Sequence, residues 1–178
     1  PVAKKIQEAF TNVKAFSVRD ENTRKFVNAL TDKDVVLHAD PVMISDFSEQ
    51  IQETPLPGNL PKRYCVVYSY YNRIADPQEI AQIKAFCKKR KLKLVTVGAP
   101  QMWIRRHLVL TPLEALAVLR NAEFVFTDTF HGTIFSAKYA KAFAVNLVNY
   151  RVVPPFSFHT VFKAKKPSFH SKLFLKSY

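Results

Sequence analysis

Glycine is scarce in this chain, since only three of its 178 residues are glycine. A backbone needs glycine where it turns through unusual angles or approaches another group closely. Gly132 stands where an apolar run, residues 124–127, gives way to a segment with helical spacing, residues 134–140. We therefore predict that the backbone at Gly132 turns tightly or comes close to another group.

Cysteine is also rare, and its two copies, Cys65 and Cys87, lie in a strand-like run and a helix-like run. Two residues placed so differently exclude a disulfide framework and a zinc site built on cysteines. No pair of histidines has metal-ligand spacing with a carboxylate or thiolate. We predict reduced core cysteines, no structural metal and no cofactor.

Long apolar stretches are missing. None approaches the roughly 20 residues that a spanning helix needs, and the start at Pro1 has no signal pattern. A composition of 48% hydrophobic and 23% charged residues excludes disordered and fibrous classes. We expect a cytoplasmic globular protein with a real core. The absent initiator methionine suggests a piece of a longer protein, although methionine removal would leave the same end.

Acidic residues are absent after Asp128, whereas eight lysines and arginines follow it, and the whole chain carries a net charge of +13. Residues 149–178 combine Phe, Lys, Ser and His without a clear period. They predict a basic, Phe-rich tail in which the sequence indicates no clear helix or strand. We expect this tail to contact an anionic surface such as the inner face of a membrane.

Helices and strands alternate along the rest of the sequence. Strands that read as continuous apolar runs stand between helices with capping sequences at residues 76–79 and 111–114. This order predicts an α/β fold with a mostly parallel sheet covered by helices on both faces. The predicted segments are a helix-strand-helix-strand segment (1–44) that ends a first domain or starts the second, a proline-rich irregular linker (45–63), a sheet domain (64–148) and the basic tail (149–178).

Polar residues follow three of the predicted strands, at Arg19-Asp20, at Asp40 and in the turn of residues 127–132. Ligands of open α/β sheets bind at the carboxyl ends of the strands, so these positions predict a site. The amides at the start of the following helix are unpaired and partially positive, which suits a phosphate or a carboxylate.

His131 is the best general acid or base by residue type, because histidine exchanges a proton near neutrality. A helix-capping or core histidine explains it equally well. Asp128 could orient His131, although capping of the helix is favoured on chemistry alone. The hydroxyls of Thr127, Thr129 and Thr133 could donate to an anion or satisfy the turn backbone.

Arg19 offers a planar fork that matches a carboxylate or phosphate, or else forms a surface pair with Asp20 or Glu21. Two further groups stay open in the same way. The segment Arg105-Arg106-His107 could face a phosphate, although a solvated charge cluster is favoured. A set of aromatic residues could line a sugar pocket or pack in the core; they are Tyr68, Tyr70, Tyr71 and Trp103.

The segment Thr127-Asp128-Thr129-Phe130-His131-Gly132-Thr133-Ile134-Phe135-Ser136 resembles the signature of polysaccharide pyruvyl transferases. Residues 16–22, Phe-Ser-Val-Arg-Asp-Glu-Asn, resemble that family's Ser-x-Arg-Asp-Glu segment, and residues 39–42 resemble its Asp-Pro strand end. The resemblance covers roughly residues 15–147. The chain departs from some members at Thr129, where they carry an arginine two residues before the histidine.

The resemblance implies transfer of the enolpyruvyl unit of phosphoenolpyruvate onto two hydroxyls of a sugar of a cell-surface polysaccharide, as a ketal. It also implies two Rossmann-like halves, similar to two-domain glycosyltransferases, of which this chain is the later one and residues 64–148 the donor-binding domain. The expected catalytic residues are His131 and Asp128. The expected donor-binding residues are Arg19, Thr129, Gly132 and Thr133.

The expected partners are phosphoenolpyruvate and a sugar acceptor, either free or lipid-linked, and no specific nucleic acid. Two other functions stay open. One is a nucleotide-sugar-dependent glycosyltransferase, since a helix start in this architecture also holds a diphosphate. The other is a non-catalytic basic module that binds anions through its tail.

Overall fold

The computed structural model describes residues 2–146 and, as backbone alone, residues 160–163. The chain divides into two compact units, Pro1–Asp46 and Phe47–Tyr178. The rest of the predicted basic tail lies outside the described residues.

The described residues of the first unit form α1 (Val2–Thr11), β1 (Phe16–Val18), α2 (Glu21–Asn28), β2 (Val35–Leu37) and α3 (Pro41–Ile44). The strands are parallel, and Phe16 pairs with Val35. Asp20 caps α2, because its carboxylate accepts the amide hydrogen of Thr23 at 2.8 Å. Asp40 caps α3 through the amide of Val42 at 2.9 Å. The two polar strand ends thus become helix starts.

The second unit is built on a six-stranded sheet. Its elements are α4 (Ser48–Glu53), β3 (Tyr64–Ser69), α5 (Pro77–Arg90), β4 (Lys93–Gly98), β5 (His107–Leu108), α6 (Pro112–Asn121), β6 (Phe124–Thr127), α7 (Phe130–Tyr139), β7 (Ala142–Val145) and β8 (Thr160–Lys163). The strand order is β5-β4-β3-β6-β7-β8; β8 runs antiparallel to β7, and the other neighbouring strands are parallel.

The core lies on both faces of this sheet. In β3, Tyr64 and Val66 belong to one buried apolar cluster, whereas Cys65 and Val67 belong to the other. Such alternation between two apolar faces requires a helical layer on each side. The predicted fold class is confirmed: a Rossmann-like sheet with five parallel strands flanked by helices.

The predicted caps are present, with one difference. At α6, Thr111 and Glu114 form the reciprocal capping box. At α5, the Asp76 carboxylate accepts both the Gln78 and Glu79 amides, at 2.8 and 2.9 Å. The Glu79 side chain turns to Asn146. The capping pattern therefore predicts the helix start correctly but not the partner of its acidic residue.

Four elements differ from the sequence prediction, and the first is α3, which follows the predicted helix-strand-helix-strand order of residues 1–44. The irregular linker expected over residues 45–63 contains α4, which packs its buried Ile51 against Leu116 and Ala117. Strand β5 begins at His107, in the segment favoured as a solvated charge cluster, and β8 forms in the tail, where the sequence indicated no clear element. These pieces have two to six residues each, which is too short for a hydrophobic period to reveal them.

Cys65 and Cys87 are free and buried, as predicted. Burial raises the pKa of the Cys65 thiol well above its ordinary value, which keeps it protonated. Within the part of the chain that the structure describes, no helix is long and apolar enough to cross a membrane.

Candidate active site

The signature turn leaves the sheet at its middle. Strand β6 lies between β3 and β7, and its last residue, Thr127, pairs with Tyr68 on one side and Val145 on the other. The Asn146 amide donates to the Thr127 carbonyl at 2.9 Å, so the pairing continues to the strand end. Residues 128–133 therefore begin at the carboxyl edge, where the sequence predicted a site.

Thr129 is the N-cap of α7. Its hydroxyl accepts the Gly132 amide hydrogen at 2.9 Å, and its carbonyl accepts the Thr133 amide at 3.0 Å and the Thr133 hydroxyl at 2.8 Å. The Thr127 hydroxyl accepts the Thr129 amide at 3.2 Å. The amides of Gly132 and Thr133 thus have partners within the turn, and the threonine hydroxyls satisfy its backbone.

Gly132 is required by close packing. A Cβ atom added to it would lie 2.1 Å from Thr127 Oγ1, 2.6 Å from Thr129 Oγ1 and 2.7 Å from Tyr68 Cδ1. Real Cβ atoms do not approach other atoms this closely, so any side chain would push α7 away from the end of β6. The predicted close approach at Gly132 is confirmed, and the group that it approaches is the protein's own strand end.

Asp128 forms an ion pair with Arg73, whose Nε lies 3.2 Å from Oδ2. The Asp128 side chain is 2% exposed, and its other oxygen, Oδ1, is buried with no hydrogen-bond partner among the described residues. The expectation that Asp128 caps the helix is wrong, because Thr129 takes that position. Asp128 is instead a buried carboxylate held by a cation from the β3–α5 loop.

Glu79 adds a second buried carboxyl group to this edge. Its Oε1 accepts a hydrogen bond from Asn146 Nδ2 at 2.8 Å. Burial raises the pKa of Glu79, the hydrogen bond from Asn146 opposes the rise, and the negative charge of Asp128 adds to it. The carboxyl ends of β6 and β7 and the start of α5 therefore meet in an acidic cluster, to which Arg73 adds a positive charge.

His131 lies in the first turn of α7 and is half-buried. Its ring contacts two phenylalanines, with centroids 5.3 Å from Phe130 and 6.2 Å from Phe135. The imidazole is neither sealed in the core nor fully solvated, so it can meet a ligand while its aromatic neighbours restrict its motion. Its catalytic role stays a prediction.

Tyr68 packs against the signature turn, and Tyr70 is linked to it through Arg73, whose Cζ lies 5.3 Å from the centroid of the Tyr70 ring. The half-buried ring of Tyr68 contacts Gly132 and also Gly98, where an added Cβ would lie 3.5 Å from Tyr68 Cε2. Burial raises the pKa of the Tyr68 hydroxyl. Tyr70 and Tyr71 are exposed. Trp103 donates through Nε1 to the Ile74 carbonyl at 2.8 Å.

Arg19 lies in the first unit, at the carboxyl end of β1. Its Nη1 is 2.9 Å from Oδ2 of the buried Asp40, which follows β2. A local pair of Arg19 with Asp20 or Glu21 was the alternative, but Asp20 caps α2 and Glu21 pairs with Arg24. Two of the three predicted strand-end groups therefore meet within this unit.

Sequence reasoning missed Arg73, Glu79 and Asn146 as members of the site. Arg73 and Asn146 did carry a signal, since each follows the carboxyl end of a strand. Glu79 was assigned to helix capping alone. Among the described residues, no group of three or more His, Cys, Asp or Glu side chains is placed to hold a metal ion.

Comparison with known proteins assigns the family. A family model described as polysaccharide pyruvyl transferase matches residues 2–145, a range that contains Arg19, Asp40 and the whole signature turn. Searches of the curated proteins and of the solved structures returned no significant match. The match spans most of the chain, which therefore belongs to the polysaccharide pyruvyl transferase family, a family of transferases.

Proposed function

We propose that this chain supplies the donor-binding part of a pyruvyl transferase that uses phosphoenolpyruvate. The acceptor in this proposal is a sugar of a cell-surface polysaccharide, carried on a lipid at the cytoplasmic face of the membrane. The donor, the acceptor and the compartment are proposed here in addition to the family membership.

The signature turn is the observation that supports the proposal. Thr129 and Gly132 bring the start of α7 close to the end of β6, so the positive end of the helix dipole opens at the carboxyl edge of the sheet. Phosphoenolpyruvate carries a phosphate and a carboxylate, and both are stabilised at such a position. The half-buried His131 stands in that first helical turn.

The proposed reaction has two bond-forming steps at C2 of the donor. His131 delivers a proton to the methylene carbon, which becomes a methyl group, and one sugar hydroxyl adds to C2. The C2–O bond to phosphate then breaks, the second hydroxyl adds, and the ketal forms. Of the two hydroxyl protons, one replaces the proton that His131 gave up and the other leaves with phosphate.

Asp128 and Arg73 act indirectly in this scheme. Their ion pair ties the residue after β6 to the β3–α5 loop, which holds the turn that carries His131. Gly132 and Thr133 contribute through the helix start, since their amides have partners in the turn. Arg19 is proposed as a further donor contact.

Phosphate release from phosphoenolpyruvate in the presence of an acceptor glycoside tests the proposal, using the protein that contains this chain. Replacing His131 by asparagine should lower the rate by about a hundredfold or more, because a general acid contributes about 10²–10⁴. Lys141→Gln, at an exposed ion pair, is the control and should leave the rate unchanged. Circular dichroism verifies folding of both variants.

The proposal fails if the wild-type protein releases no phosphate, or if His131→Asn matches the control. A nucleotide sugar provides the competing arm, because a helix start also binds diphosphates. Protection from proteolysis by a nucleotide sugar, and none by phosphoenolpyruvate, would favour a glycosyltransferase.

A further inference from the structure

We propose that a basic cleft at the β4 edge of the second unit binds the phosphate or diphosphate group of a small molecule. The cleft has a volume of about 730 Å³ and lies between the first residues of β4 and the segment that leads into β5. Small-molecule sites in proteins typically have about 300–1,000 Å³. The proposal concerns a site other than the signature turn and goes beyond the proposed function.

Charge is the first argument. The lining includes Lys93, Arg105, Arg106 and His107, and no Asp or Glu is among the lining residues. Guanidinium groups match phosphate oxygens with paired donors, and an ammonium group adds a point charge. These cations line one concave surface, and Arg106 is partly engaged there, because its Nη1 donates to the Asn59 carbonyl at 2.5 Å. Lys93 and Arg105 are therefore the proposed phosphate contacts.

The apolar part of the lining is the second argument. Trp103 and Leu94 stand in the same cleft as the cations. A purely ionic site has no use for an indole ring, but a phosphate ester has an organic part that needs an apolar wall. The lining therefore fits an amphiphilic anion better than a free inorganic ion.

The cleft wall is held firmly in place. Trp103 Nε1 donates to the Ile74 carbonyl at 2.8 Å, which fixes the indole. The Arg106 carbonyl accepts the Thr96 amide at 2.9 Å, and Thr96 Oγ1 lies 3.0 Å from His107 Nδ1. Ile104, which also lines the cleft, is buried. Because this wall is already ordered, binding would require little further loss of conformational entropy there.

Lys93 and the signature turn lie toward opposite ends of the strands. Lys93 pairs with Tyr64, the first residue of β3, whereas Thr127 pairs with Tyr68 near its end. Four residues of strand correspond to about 13 Å. A phosphate held at Lys93 would therefore lie away from the turn.

Trp103 makes the test direct, because it is the only tryptophan in the sequence and lines the cleft. Its emission is followed while sodium pyrophosphate is added to the full chain at constant ionic strength. We expect a saturable change. Pyrophosphate should also reduce quenching of Trp103 by acrylamide, which is a second readout that needs no mutation.

The double variant Lys93→Gln/Arg105→Gln should weaken binding by about tenfold or more, since each lost charged contact costs a sizeable part of the affinity. The double variant Lys4→Gln/Lys5→Gln removes the same charge from the exposed face of α1 and should bind like the wild type. Equal affinities of the two double variants, or a wild type that shows no saturable response to any probe, would overturn the proposal.

A second probe distinguishes two sources of the phosphate group, a soluble molecule and a lipid headgroup. Vesicles of phosphatidylcholine with phosphatidic acid are titrated in parallel with pyrophosphate. A Trp103 response to pyrophosphate supports a soluble ligand. A response to vesicles alone, lost in Lys93→Gln/Arg105→Gln, supports the phosphate chemistry with a lipid source.

Discussion

The Arg73 guanidinium neutralises the buried Asp128 carboxylate, with Nε of Arg73 3.2 Å from Oδ2. The pair joins the loop after β3 to the residue that follows β6, so two strand ends are linked by charge as well as by the sheet. Because Glu79 lies near Asp128, the positive charge of Arg73 reduces the repulsion between the two acidic groups.

Replacing Arg73 by glutamine should destabilise the second unit by about 2 kcal/mol, because the buried Asp128 carboxylate loses its counter-ion. The effect is smaller than for a fully buried pair, since Arg73 is partly exposed to solvent. Urea unfolding measures the change. Lys141→Gln is the matched control, since its pair with Glu123 is exposed on both sides and should contribute less than about 1 kcal/mol. Equal effects of the two substitutions would contradict the role given to Arg73.

Gly132→Ala should destabilise the protein by about 1–3 kcal/mol, because the new methyl group overlaps Thr127 and Thr129 and forces α7 outward. Gly58→Ala is the control, since an added Cβ there meets nothing within 4 Å. It should be neutral or slightly stabilising. Thermal unfolding of both variants distinguishes steric overlap from a general intolerance of glycine replacement.

Thr129→Ala should cost about 1 kcal/mol of stability, because the Gly132 amide loses the hydroxyl that caps α7. Thr129→Ser keeps the hydroxyl and should retain most of the stability. Comparison of the two by urea unfolding isolates the hydrogen bond. If serine behaves like alanine, the methyl group of Thr129 rather than its cap stabilises the turn.

Glu79 predicts a stability that decreases as pH rises. Its pKa is raised in the folded state, so the folded protein binds a proton more tightly than the unfolded chain does. The resulting stabilisation is complete below the unfolded pKa and is lost as pH rises through the folded one. Glu79→Gln keeps an acceptor for Asn146 and should be more stable than the wild type at neutral pH, with the difference shrinking in acid.

Glu114 should show the opposite dependence of stability on pH. Hydrogen bonds from Thr111 lower the pKa of this capping glutamate, so its contribution is present above the unfolded pKa and is lost as pH falls. Urea unfolding at a series of pH values measures both slopes. Parallel profiles for Glu79→Gln and Glu114→Gln would contradict the assignment of Glu79 to a desolvated cluster.

Sequence alone predicts the sheet well, because its strands are buried on both faces and its helices carry capping residues such as Asp76 and Thr111. It also predicts the close approach at Gly132, since a rare glycine at a strand-helix junction marks a position without room for a side chain. Each of these features depends on residues that lie close together in the sequence. The short helix α4 and the strand β5 are not predicted from the sequence, because their formation depends on contacts with α6 and β4.

The partners of the acidic residues could not be predicted for a different reason. Arg73 and Asp128 are far apart in sequence, and only the order of strands β3 and β6 brings them together. Glu79 shows the same limit, because its position in a capping pattern explains it locally while its carboxylate is used by Asn146. Spacing identifies which side chains reach the carboxyl edge but not which of them pair there.

Two of the three glycines in the chain contact the same tyrosine ring. Tyr68 lies between Gly98, at the end of β4, and Gly132, in the first turn of α7. Because the backbone of both glycines lies against the ring, we expect slow ring flips, which aromatic NMR line shapes would report. Tyr68 therefore works as a spacer: the end of β4 and the start of α7 cannot move independently without displacing it.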